Sequence, residues 1–176
     1  METITASLRG IYRDILRNAH NSVVYDSGWR TNAIVLDARI LLAAFMKGDP
    51  CTGITCLKVR QGDEKWDQVL EPVPRNTDIL TDPNPYQLEL LESDKTYLPD
   101  ASSSDMFPNC TNAIQIVARL DKDFPSLPSG QTFYPLREFG LFGKIQDKLC
   151  MINCVRHSVI HKDDQTSLER IIRLVF

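Results

Sequence analysis

An α+β fold is predicted: a mostly antiparallel β-sheet or sandwich packed around one buried apolar helix. Three observations predict it. NAIVLDARILLAAFMKG, Asn32 to Gly48, is apolar at nearly every position from Ala33 to Met46 and carries a stop or start signal at each end. Runs rich in Ile, Val, Phe and Tyr lie on both sides of it and alternate with the period of a strand. Turn-forming clusters, RNAHNS, QGD, DFPSLPSG and KDDQ, separate those runs.

In chain order, Leu8 to Leu16 and Val23 to Trp29 flank RNAHNS and read as a β-hairpin. A second reading starts a short amphipathic helix at Ser7, because Leu8, Ile11, Tyr12 and Ile15 also fit helical spacing. Asn32 then caps the apolar helix and Gly48 ends it. With so little polar surface, that helix must be covered on most sides. Ile54 to Val59 is a strand, QGD a turn, and Trp66 an aromatic anchor beyond it. From Glu71 to Asn112 prolines and serines accumulate without a sustained period, so a long loop or arm at about 71–112 is expected. Within it only YQLELLE, Tyr86 to Glu92, reads as a strand or short helix. Such a long loop suits a partner contact. Tyr86, Leu88, Leu90, Tyr97 and Leu98 are its candidate assembly contacts.

Ile114 to Leu120, Phe133 to Phe142, Leu149 to His161 and Leu168 to Phe176 are the expected strands of the last third. In the last of them Leu168, Ile172, Leu174 and Phe176 share a face with Arg170, while Glu169 and Arg173 lie on the other.

The 176 residues suit one domain with a real core, and the interspersed charges, net -3, include no basic run suited to nucleic acid. METITASLRG lacks the basic and apolar regions of a signal peptide, so synthesis in the cytoplasm is expected. No run is apolar and long enough for a membrane span. Five cysteines are an odd count without scaffold spacing, and free buried thiols are expected.

Cys150, Cys154, His157 and His161 are ligands zinc accepts, yet on one strand the two cysteines would face one way and the two histidines the other. A structural role for them is the better reading. Asp163 and Asp164 beside His161 suggest a nucleophile's acid partner, but HKDD reads more simply as a solvated turn, and no phosphate-cradling loop is present. No enzyme is expected, and no metal or cofactor. Trp29 and Trp66 are candidates for a sugar-stacking platform, against the plainer reading of core anchors.

TNAIVLDARILLAAFM, ITCLKVRQGDEKWD, LREFGLFG and the ending MINCVRHSVIHKDDQTSLERIIRLVF together cover more than half of the chain. In these stretches and their order the sequence resembles bacteriophage tail-collar fibre domains, and more closely the short phage-tail-like proteins of contractile injection systems. The resemblance implies a structural, non-enzymatic subunit at the baseplate, collar or fibre-attachment end of a virion or tail-like particle. Its implied partners are copies of itself and other tail, baseplate, sheath or tube proteins. Because no residues follow Phe176, a fibre shaft is not expected, which favours a stand-alone adaptor or decoration protein. A carbohydrate or small-ligand-binding module used in target attachment is the alternative.

LREFGLFG places the charged pair Arg137 and Glu138 inside an apolar stretch. On a strand the two point to opposite faces, and each is expected to meet a charge on a neighbouring strand, with Arg119 and Arg170 as candidates for Glu138. Both are then register residues, since a slip by one position would strand Glu138 among apolar neighbours.

Overall fold

A computed structural model of the chain describes residues 8–81 and 85–176. Ser7, the cap of the helical alternative, lies outside them. The first strand, β1 (Arg9–Arg17), forms the expected hairpin with β2 (Val23–Asp26). Asn18 makes the turn, its side-chain oxygen accepting the amides of His20 and Ser22 at 3.0 Å each.

The helix differs from expectation at its start and in its burial. Arg30–Thr31 (β3) pairs with β1, and Ala33–Ile34 (β4) pairs with β12 (Lys148–Lys162), so the chain is committed to two sheets before it can coil. The helix α1 therefore runs Leu36–Lys47 with Val35 at its N-cap, while Asn32 donates its backbone amide to Gly10. Gly48 ends it in the left-handed conformation, φ 83°. Only the stripe Ala38, Leu41 and Ala44 is buried; Leu36, Ile40, Phe45 and Met46 are 51%, 49%, 45% and 90% exposed. Apolar residues all round have been given cover on one side.

The remaining strands are β5 (Cys51–Arg60), β6 (Tyr86–Glu89), β7 (Lys95–Tyr97), β8 (Ser103–Ser104), β9 (Phe107–Thr111), β10 (Ala113–Leu120), β11 (Tyr134–Ile145) and β13 (Ser167–Val175). All described pairings are antiparallel. Among the described residues one sheet has the order β2-β1-β13-β10-β7 with β3 beside β1, and a second has the order β4-β12-β11-β5-β6. β8 and β9 form a separate exposed pair. The predicted arm is thus partly ordered: β6 and β7 are edge strands of the two sheets, and a 3-10 turn at Glu92–Asp94 joins them.

Residues of both sheets share one apolar cluster. Tyr12, Ile116, Leu168 and Ile172 come from the first sheet, and Leu57, Val59, Phe139 and Val155 from the second, with Ala38 and Leu41 of α1. The even positions of β13 point into it, as the sequence predicts: Leu168, Arg170, Ile172 and Leu174 are each at most 1% exposed. A smaller cluster of Val35, Cys56, Leu80, Phe142, Met151 and Cys154 is joined by Val73. Residues of the 73–80 segment therefore pack on the face of β11 and β12 that the main core does not use. LREFGLFG is buried from end to end because β11 is a central strand covered on both faces. Gly143 is needed there: a Cβ would lie 2.8 Å from the Gly53 carbonyl oxygen and 2.9 Å from Leu41 Cδ2.

Candidate functional site

A cleft of about 550 Å³ opens between α1 and β7. Leu42 and Phe45 form one wall, Gly53 and Ile54 of β5 the floor, and Lys95 and Tyr97 the opposite wall, with Phe176 at the rim. The register explains the polarity of that wall. Lys95 and Tyr97 stand opposite Ile116 and Ile114 of β10, on the sheet's inner side, whereas Thr96 stands opposite Gln115 on the outer side. The Lys95 ammonium donates to the Ile54 carbonyl at 3.1 Å and pairs with the exposed Glu92 at 3.3 Å. Phe45, Tyr97 and Phe176 remain 45%, 50% and 45% exposed. An apolar trough with one cation at its mouth can take apolar side chains or an apolar ligand.

Of the five predicted assembly contacts, Tyr97 lies on this cleft. Leu98 is half-buried and its amide donates to Ala113. Tyr86, Leu88 and Leu90 do not form an outward surface. Leu90 belongs to the core, Leu88 packs against it, and the Tyr86 ring meets Phe124 and Tyr134 edge-on at 5.8 and 5.3 Å. Strand alternation turned these three inward once β6 joined the sheet through β5.

Arg137 and Glu138 correct the sequence reading in a different way. The β11–β12 register shifts between Leu136 and Glu138, and this bulge lets both side chains reach partners away from the main core. Arg137 grips Asp67 through Nε at 3.0 Å and Nη2 at 2.8 Å, and also donates to the Gln61 carbonyl at 3.3 Å. Asp67 additionally accepts the Val159 amide at 2.7 Å. The Arg137 guanidinium holds the Asp67 carboxyl below its ordinary range. Glu138, fully buried, accepts from the Thr81 amide at 2.8 Å, the Thr81 hydroxyl at 3.0 Å and Arg156 at 3.3 Å. Its cation is therefore Arg156, its direct cross-strand neighbour. Arg119 pairs instead with Glu169, and Arg170 with Asp14.

Arg170 heads a polar network that sequence reasoning did not find. Its guanidinium donates to Asp14 at 2.7 and 3.2 Å and to His157 Nε2 at 2.6 Å, and it stacks on the Phe139 ring at 3.6 Å. The Ser158 carbonyl accepts from His157 Nδ1 at 2.7 Å, which fixes the neutral tautomer. Burial first, then the Arg170 charge, pushes His157 down to about 4. The signal available in sequence was Arg170 on an apolar strand face.

The possible metal ligands diverge, though not as alternation predicted. A second register shift, at Leu141 and Phe142 opposite Asn153 and Met151, puts Cys150 in the main cluster and Cys154 in the smaller one. His157 lies against Phe139, and His161 against Phe133. Burial, then Glu138, pushes the Cys154 thiol up to about 12. All five cysteines are free; Cys56, Cys150 and Cys154 are buried, but Cys110 is exposed. The two tryptophans form no platform. Trp66 is 3% exposed with Arg156 over its ring, and Trp29 carries Arg173 at 4.3 Å. No helix among the described residues is long and apolar enough to cross a membrane. No family model matches this chain, and no curated protein or solved structure matches it.

Proposed function

We propose that the chain is a structural subunit of a phage tail or phage-tail-like contractile injection particle, acting as a baseplate, collar or fibre-attachment adaptor. It is made in the cytoplasm and then incorporated, as one of several copies, among tail, baseplate, sheath or tube proteins. In this reading its two sheets pack as a sandwich, which the shared cluster of Ile116, Ile172, Leu57 and Phe139 supports. One observation carries the function. α1 carries apolar residues around its circumference, interrupted by Asp37, Arg39 and Lys47, yet is buried on one side only; Leu36, Ile40, Phe45 and Met46 stay exposed, and Phe45 lines an apolar cleft rimmed by Tyr97 and Phe176. A helix of this composition is ordinarily covered all round, and a neighbouring subunit supplies the missing cover. Symmetry then multiplies weak contacts of this kind.

The test is co-expression with sheath, tube and spike proteins of a contractile particle, taken from its neighbouring genes where these encode them. The wild type is expected to co-purify with them, and Phe45→Asp with Tyr97→Asp to lose the complex while melting like the wild type. Deleting Tyr86 to Leu98 would be uninformative, because it removes Leu90 from the core. A wild type that stays monomeric beside these proteins and binds glycans or small apolar ligands would reverse the assignment. The volume of the cleft favours that second reading, a ligand-binding module used in target attachment.

A further inference from the structure

The β8–β9 hairpin carries two large apolar side chains that the chain leaves bare. Asp105 and Met106 make its turn, between the paired Ser104 and Phe107. Met106 is 82% and Phe107 61% exposed, and every residue from Ser102 to Cys110 faces water. Turns favour Gly, Asn, Asp, Ser and Pro, each for a backbone reason, and methionine is not among them. Neither turn geometry nor a core contact accounts for Met106 followed by Phe107, and solubility argues against both. Methionine and aromatic residues are instead what protein interfaces enrich.

The foot of this hairpin is tied to the rim of the cleft. The Ser102 carbonyl accepts from the Asn112 amide at 2.9 Å, and the Asn112 carbonyl accepts from the amide of Phe176, a rim residue, also at 2.9 Å. β9 lies beside β7, which supplies Tyr97 to the same rim. At about 3.3 Å per strand residue, the tip at Asp105 stands about 10 Å from the foot at Ser102. It does not enter the cleft of its own chain: Met106 stays exposed, and neither Met106 nor Phe107 lines that cleft. The charges suit an encounter as well. The arm from Asp100 to Asn112 holds the carboxylates of Asp100 and Asp105 and no cation. At the mouth of the cleft stands the Lys95 ammonium, whose partner Glu92 has a side chain 95% exposed, so the existing pair contributes little.

We propose that Met106 and Phe107 of one copy of this chain fill the cleft between α1 and β7 of a second copy, and that the exchange is reciprocal. A trough of about 550 Å³ walled by Leu42, Phe45 and Ile54 offers apolar cover to that pair of side chains. Asp105, one position before them, comes to Lys95 at the mouth and sets the orientation. Arm and cleft adjoin on each molecule, so a two-fold axis beside Phe176 carries each arm to the other copy's cleft and closes the pair. A hairpin already ordered by β8–β9 pairing loses little freedom on docking. The contact rests on the reading of the cleft as an assembly surface and names what fills it.

Complementation between two variants tests it. Met106→Glu with Phe107→Ser spoils the arm and keeps the cleft; Phe45→Asp with Tyr97→Asp spoils the cleft and keeps the arm. Each altered side chain is at least 45% exposed, so both variants are expected to unfold in urea with the wild-type midpoint. Sedimentation velocity is then run on the full chain at rising protein concentration. The wild type is expected to be a dimer and each variant alone a monomer. An equimolar mixture of the two is expected to pair again, more weakly than the wild type, because one of the two arm-to-cleft contacts is restored. That recovery also shows that both variants fold. A monomeric wild type, a mixture that stays monomeric, or an arm variant that dimerises as well as the wild type overturns the proposal. The outcome is separate from that of the tail reading. A wild-type dimer that pairs in this way and binds no tail protein keeps the contact and ends that reading, whereas a monomeric wild type that co-purifies with tail proteins through the cleft does the reverse.

Discussion

Acidification should destabilise this fold through His157 before most of its carboxylates titrate. The imidazole is buried, donates to the Ser158 carbonyl and accepts from Arg170, so a proton on Nε2 would break the Arg170 bond and set two cations against each other. The charged and titratable groups that act on it are Arg170 on β13, Asp14 on β1 and Arg30 on β3. Its folded value of about 4 lies below the ordinary 6.5. The unfolded chain therefore takes up a proton below pH 6.5 while the folded chain does not, and stability present above that pH is lost as pH falls towards the folded value. At 1.36 kcal/mol per pH unit, the loss approaches about 3 kcal/mol by pH 4, a large share of the stability of a domain this size. The assay is urea unfolding of wild type and His157→Gln at several pH values from 7 to about 4. Glutamine keeps one acceptor and one donor but does not titrate, so the difference between the two proteins isolates the histidine whatever the baseline cost of the substitution. Parallel stability curves for the two proteins would refute the buried neutral tautomer.

Three further outcomes follow from the packing. Glu138→Ala leaves Arg156 and both Thr81 donors without their acceptor, and should cost about 3 to 5 kcal/mol in urea unfolding; a change within about 0.5 kcal/mol, the range of a neutral surface substitution, would show that the carboxylate holds nothing. Gly143→Val forces a side chain into the Gly53 carbonyl and Leu41, and should lower stability by about 1 to 3 kcal/mol, read as a drop in the unfolding midpoint. Thiol labelling of the native protein near neutral pH should modify Cys110 readily and Cys154 only on unfolding, since Cys154 is buried and its thiol is held at about 12; fast native labelling of Cys154 would mean that the 73–81 cover opens.

What the sequence made legible depended on whether the deciding interaction was local. The β1–β2 hairpin and the strands of the last third follow from alternation and turn residues, and both signals lie within a few positions of the effect they cause. The start of α1 does not. Asn32 is a good cap, but pairing of Arg30–Thr31 and Ala33–Ile34 with two different sheets outweighs a single capping bond. Helix burial was misread for a related reason: composition says that a face should be covered, not that this chain alone covers it. The turn at Gln146 and Asp147 joins β11 to β12 with φ of 47° and 66°, without the glycine that normally announces such a turn. The cleft was out of reach altogether, because its walls come from residues near 42, 54, 96 and 176 that only the tertiary fold brings together.

The charged pair in LREFGLFG shows how a small backbone irregularity changes a functional reading. On a regular strand Arg137 and Glu138 would face opposite ways, and one of them would have to enter the apolar core. The bulge between Leu136 and Glu138 removes that conflict by giving both a partner outside the main core. Arg137 then holds the start of the covering segment at Gln61 and Asp67, and Glu138 holds its end at Thr81. Between those anchors Leu80 and Val73 pack on Phe142, Met151 and Cys154, closing the second face of β11. Register and cover are thus set by the same two residues. A slip of one position would misplace Glu138 relative to Arg156 and, at the same time, release the segment that shields the sheet. Such coupling ties the register of β11 to the cover of the sheet on which α1 packs, through β12, β11 and β5, and the proposed assembly surface of α1 depends on that support being held in place.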